Sequence, residues 1–137
     1  MMINRTVSYY NNADDSKSKI RYNLDYVLGM IKDNQELFQQ TVRLRSMPTE
    51  KEYKQAKKLL PMIAPSGVFD YRNDDPENLR EYSNVLVLDF DHFQNHLDAG
   101  EFKRNLIANA DRLYIYALWF SPSGLGVKVA MIHDNTN

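Results

Sequence analysis

The chain has 137 residues, 43% hydrophobic and 26% charged, with five Gly, five Pro and no Cys; that composition suits one globular domain and excludes a disordered, fibrous or disulfide-stapled chain. The absence of cysteine also excludes a thiolate zinc site and favours a cytoplasmic location. Net charge is −1, but residues 1–60 carry 11 Lys and Arg against 7 Asp and Glu, and residues 61–137 carry 6 against 11; the basic first half suits either a phosphate backbone or plain solvated helix faces. No apolar run is long enough to cross a bilayer and MMINRTVSYY lacks a signal-peptide core, so no membrane partner is expected.

In chain order, RTVSYY (5–10) predicts a short strand and NNADDSKSK (11–19) a polar connector, so residues 1–20 form a strand plus connector. Leu24, Val27, Leu28 and Ile31 recur at helical spacing, with Asn23 as N-cap. A second helix is predicted from Glu36 to Arg45, with Leu37, Thr41 and Leu44 on one stripe. Thr49 and Glu52 make a T-x-x-E capping box, and the helix they open turns Tyr53, Ala56 and Leu60 inward and Lys51, Lys54, Lys57 and Lys58 outward. Residues 21–61 are thus the helical part. Residues 62–137 are the sheet part, beginning with a Pro-Ser-Gly turn in PMIAPSGVF (61–69). YRNDDPENLREYS (71–83) reads as a polar loop with one helical turn, NVLVLDFD (84–91) as a strand, and Asp98 with Glu101 as a helix start carrying Phe102, Leu106 and Ala110 inward. LYIYALWF (113–120) and VKVAMI (127–132) are strands joined by a SPSGLG turn. The predicted class is α+β, with N-terminal helices packed on a mixed, mostly antiparallel sheet.

Asp89 and Asp91 end an apolar strand. Residues two apart on a strand share a face, so both carboxylates point the way of Val85 and Val87, with Leu86, Leu88 and Phe90 opposite. Two such carboxylates repel unless a cation or a shared proton lies between them. A hard divalent ion, Mg²⁺ or Mn²⁺, meets that need with oxygen ligands and serves phosphoryl transfer; the plainer alternative is a strand that emerges into solvent at Asp89. A D-x-D phosphohydrolase is a further alternative, although the D-x-D-x-T pattern of haloacid-dehalogenase-type phosphatases meets Phe93 where it needs Thr. No G-x-x-x-x-G-K-[ST] is present, so a P-loop is excluded.

Ser121, Ser123, Gly124 and Gly126 form a tight loop whose backbone N–H groups can face an anion. Lys128 interrupts the apolar strand that follows. It either contacts phosphate facing Asp89 and Asp91 across the sheet, or snorkels to solvent from an edge strand. Arg72 reads as a phosphate or template contact, or as a partner of Asp74 or Asp75. His92 and His133 read as packing or surface residues with a metal role as the alternative, and His96 as surface. Trp119, Tyr114 and Tyr116 read as core, with base stacking as the alternative.

Three blocks, APSGVFDYR (64–72), NVLVLDFDHF (84–93) and FSPSGLGVKVAM (120–131), resemble in order and spacing the N-terminal domain of bacterial virulence-associated E (VirE)-like proteins, which is similar to the catalytic module of archaeo-eukaryotic primases and primase-polymerases. The resemblance implies a primase-polymerase-like fold and metal-dependent, template-directed nucleotidyl transfer in the DNA replication of a mobile element. By it, Asp89 and Asp91 hold Mg²⁺ or Mn²⁺, and Ser121, Ser123, Gly124, Gly126 and Lys128 hold the phosphates of a nucleoside triphosphate. The implied partners are that nucleotide, a nucleic acid template and a helicase-like ATPase region of the same full-length protein. The primase pattern has His where this sequence has Lys128. It also has a third acid on a later strand, which makes residues 1–137 a single domain truncated at its C-terminus, inactive alone; Asp134 is the one acid remaining after the last strand. A non-catalytic nucleic-acid or protein-binding module that keeps this fold is the competing expectation.

Overall fold

A computed structural model describes residues 5–73 and 75–133. The chain divides into two compact units, one ending at Asn84 and the other beginning at Val85.

In the first unit, β1 (Thr6–Tyr10) lies between β2 (Arg21–Asn23) and β3 (Met62–Ala64), antiparallel to both. Three helices, α1 (Leu24–Asp33), α2 (Gln35–Arg45) and α3 (Glu50–Lys57), connect β2 to β3. Each is capped by the side chain that sequence reasoning favours at an N-terminus. Asn23 accepts from the Asp25 N–H at 2.9 Å, and Thr49 from the Glu52 N–H at 3.1 Å. Asn34 does two tasks: its N–H closes α1 on the Met30 carbonyl, and its side chain opens α2 by accepting from the Leu37 N–H. The core gathers Val7, Tyr9 and Val27, with Tyr22, Met30 and Ile63 packed against them. Leu44 and Leu60, from the predicted inward stripes, are also buried.

β4 (Gly67–Phe69) pairs antiparallel with β5 (Leu79–Tyr82) in a separate two-stranded sheet. The buried Ser8 hydroxyl accepts from the Phe69 N–H at 2.9 Å, tying β1 to β4. The predicted loop over 71–83 holds its helical turn, Pro76–Asn78, but its last part is the strand β5. Leu-Arg-Glu-Tyr has little apolar signature, and pairing with β4 makes it a strand.

The second unit comprises β6 (Val85–Phe90), α4 (His96–Ala108), β7 (Ile115–Phe120) and β8 (Val127–Ile132). Its antiparallel sheet has the order β6-β8-β7, so β8 is central, with Val127, Val129 and Ala130 buried. Asn95 caps α4 on the Asp98 N–H at 2.8 Å, which puts Asp98 in the first turn rather than at the start. Phe102 of α4 packs on Phe90 and Phe93, and Lys103 lies over the Phe120 ring. α4 therefore packs on the sheet face that carries Phe90, Val127 and Phe120, opposite the aspartates, although Leu86, Leu88 and Phe90 on that face stay more than a third exposed.

The α+β class is as predicted. In place of one mixed sheet, however, the described residues hold three small antiparallel sheets. Strands of the first unit run only three to five residues. Among the described residues no helix is long and apolar enough to cross a membrane.

Candidate functional site

Two rows of side chains cross one face of the second unit's sheet. Register pairs Asp89 with Lys128 and Lys128 with Trp119, and paired residues of antiparallel strands share a face, so these three form the first row across β6, β8 and β7. Lys128 Nζ donates to Asp89 Oδ1 at 2.8 Å; the two side chains are 32% and 48% exposed. One step toward the loop, Asp91 stands opposite Gly126, and Gly126 accepts at its carbonyl from the Ser121 N–H at 2.9 Å. Asp91, Gly126 and Ser121 make the second row.

Gly126 explains how Asp91 fits. A Cβ there would lie 2.6 Å from Asp91 Oδ1 and 3.0 Å from both Ser121 Oγ and the Phe90 carbonyl oxygen. The missing side chain is the space the carboxylate occupies, beside the serine hydroxyl. Just past Asp91, His92 takes a φ of 68° and turns the chain away from the sheet, and the Phe93 N–H then donates to the Leu125 carbonyl at 3.0 Å. Strand and loop are thereby pinned on either side of Asp91.

The loop from Ser121 to Gly126 is closed by its own groups. Gly124, at φ 76°, donates its N–H to the Ser121 carbonyl; the Leu125 N–H goes to Ser123 Oγ; and the two serine hydroxyls lie 3.1 Å apart. The amides of Ser121, Gly124 and Leu125 are therefore spent within the loop, and the expected cradle of backbone N–H groups is narrower than the sequence implied. Ser121 is buried, at 6% exposure, so its hydroxyl is fixed rather than free to rotate with a ligand. His96, read from the sequence as surface, places Nδ1 3.1 Å from the Gly124 carbonyl and ties the start of α4 to the loop. Its spacing from the loop gave no signal; only the fold brings it there.

Asp89, Asp91, Lys128, Ser121, Ser123, Gly124 and Gly126 thus come together on one sheet. Arg72 belongs to the other unit. Its Nη2 donates to the carbonyls of Ala13 at 2.5 Å and Asp15 at 2.9 Å, its Nε also reaches the Asp15 carbonyl, and its guanidinium lies 5.0 Å from the Tyr10 ring centre. It pins the connector between β1 and β2, a structural task, and it lies in a different unit from the other residues read as phosphate-binding. Asp74 and Asp134 lie outside the described residues. Among the described residues no group of three His, Asp or Glu is arranged to hold a metal ion. Trp119, expected in the core, is only part-buried, and Tyr114 is exposed at a φ of 57°.

No curated protein and no solved structure matches the chain. A family model does, over residues 54–137, a span that takes in all three sequence blocks, the carboxylate pair and the loop. That match covers more than half of the chain, which belongs to the family described as BT4734-like, N-terminal domain.

Proposed function

We propose that the unit beginning at Val85 binds a nucleoside triphosphate with a divalent cation, as part of a primase-polymerase-like module that performs metal-dependent nucleotidyl transfer in its full-length protein. The observation that carries this reading is the convergence of a paired cation, Lys128, with two carboxylates and a serine-glycine loop on one sheet face. The resemblance of the three sequence blocks to VirE-like N-terminal domains and to primases supplies the reaction class. It also supplies the partners: a nucleic acid template, the nucleotide and a helicase-like ATPase region, in the replication of a mobile element.

The donor set fits Mg²⁺ or Mn²⁺ of a particular kind. Two carboxylates, with no third acid grouped with them among the described residues, suit an ion that keeps much of its water and arrives with the phosphates. Asp91 and Asp89 would hold it, and when bound it would neutralise phosphate charge during transfer. Lys128 adds a fixed positive charge beside them, a point contact for phosphate oxygens. Incoming phosphate competes with Asp89 for the ammonium, and the metal competes with the ammonium for Asp89, so ligand binding exchanges partners rather than creating unpaired charge.

A second reading has its own observation. The Lys128 ammonium already satisfies Asp89, as it would in a non-catalytic nucleic-acid or protein-binding module that needs no metal. A D-x-D phosphohydrolase is less supported. Phe93 stands where that motif needs a hydroxyl, and its ring packs on Phe102.

Titration calorimetry with MgCl₂ or MnCl₂, with and without ATP, separates these readings. The nucleotide reading expects metal and ATP each to strengthen binding of the other about tenfold or more, and Asp91→Asn to abolish this while leaving the unfolding midpoint unchanged. Lys128→Met should weaken ATP binding and cost at most about 1 kcal/mol of stability, since the ion pair is part-exposed. Absence of metal-dependent ATP heat in the wild type would sink the nucleotide reading and leave the binding module. Phosphatase turnover would favour the third.

A further inference from the structure

We propose that Trp119 is the platform on which the base of the bound nucleotide stacks. This rests on the phosphate-binding reading of the Asp89–Asp91–Lys128 face and says where the rest of the ligand lies.

Three observations point to it. First, Trp119 is the cross-strand partner of Lys128, on the face of the acidic pair and not the face packed by α4. Second, it is part-exposed, as is the rest of its apolar strand IYALWF, so its ring is not sealed in a core. An indole left partly in water beside a lysine and a serine can complete its contacts against a flat ligand ring. Third, the spacing suits a nucleotide. Asp89 on β6 and Trp119 on β7 are two strand spacings apart, roughly 10 Å. That is the reach from the base of a nucleoside triphosphate to its outer phosphates, with Lys128 on the strand between them. β7 is an outer strand of this sheet, so the base would lie at the sheet's edge.

Stacking on an indole tolerates every base, because each presents a π-face. Trp119 would therefore add affinity for nucleotides as a class and separate them from plain polyphosphates, without choosing among bases.

Trp119 is the only tryptophan in the chain, so its own fluorescence reports on the contact. The wild-type chain is titrated with ATP and with inorganic tripolyphosphate, each with Mg²⁺, and affinities of Trp119→Ala and Trp119→Phe are taken by calorimetry. ATP should quench the emission, and tripolyphosphate should bind competitively with little quenching. Trp119→Ala should weaken ATP roughly 5- to 150-fold and leave tripolyphosphate unchanged, and Trp119→Phe should hold ATP within a few-fold. If tripolyphosphate binds and Trp119→Ala takes ATP as well as wild type, the stacking role is wrong while the phosphate site stands. Equal loss of both ligands in Trp119→Ala, with Trp119→Phe no better, would make the residue structural and overturn the proposal. If tripolyphosphate fails to bind the wild type, the phosphate reading falls and this inference with it.

Discussion

In the unit that ends at Asn84, Arg72 gives its guanidinium to backbone carbonyls and an aromatic ring; in the unit that begins at Val85, Lys128 gives its ammonium to a side-chain carboxylate on a part-exposed face. The first cation is committed. Its partners are main-chain carbonyls, and the planar fork reaches two of them at once. The second would be exchangeable under the proposed function, with a phosphate taking the ammonium and a metal taking the carboxylate. A charge held by the backbone maintains shape, whereas a charge held by another exposed charge is available for binding. By this criterion the proposed binding site belongs to the second unit, while the Arg72 contacts of the first unit hold its connector in place.

Arg72→Ala gives the largest expected effect and tests the roles of the two cations most directly. Removing several charge-assisted bonds and stranding part-buried carbonyls should cost about 3 kcal/mol in denaturant unfolding. Arg72→Lys should recover little of it, since one ammonium cannot reproduce the fork. Mg²⁺-dependent ATP binding by the folded fraction should not change. A loss below about 0.5 kcal/mol, or a selective loss of ATP binding, would reverse the roles assigned to the two cations.

Gly126→Ala sharpens the comparison from the other side. A methyl group placed 2.6 Å from Asp91 Oδ1 must displace that carboxylate or the loop. The expected cost is about 1–3 kcal/mol of stability, with a drop in metal-dependent ATP affinity that exceeds the drop caused by Lys128→Met. Unchanged affinity in calorimetry would mean that Asp91 is not part of the binding face.

The smallest effect is confined to alkaline pH and to the first unit. Burial, then the neighbouring Tyr22 and Tyr26, raise the Tyr9 pKa above its ordinary 10.0. The folded state therefore resists ionisation that the unfolded chain undergoes. Stability from this group is intact below pH 10.0 and is lost as pH rises through the higher folded value. Tyr9→Phe should flatten that alkaline decline, read as the unfolding midpoint against pH, and leave neutral-pH ligand binding alone.

Much of this was legible in the residues. Period-two alternation put Asp89 and Asp91 on one face, the T-x-x-E box opened α3 at Thr49, and VKVAMI marked β8 at both ends. These signals are local: a strand's period, a cap's hydrogen bond and a turn's composition depend on neighbours in the chain. β5 escaped because four residues with two charges become a strand only when β4 lies alongside. His96 escaped for a similar reason, since its partner is a carbonyl 28 residues away.

The residues alone set which side chains share a face, where the first three helices begin to within a residue, and that a lysine and two aspartates needed partners. The tertiary structure decided who those partners are. Period two says nothing about which strand lies next to which or in what register, and a one-residue slip would turn every side chain to the other face. The β6-β8-β7 order made Lys128 central rather than an edge lysine, and set it opposite Asp89 with Trp119 beside it. The same register set Asp91 over the one residue without a side chain to exclude it.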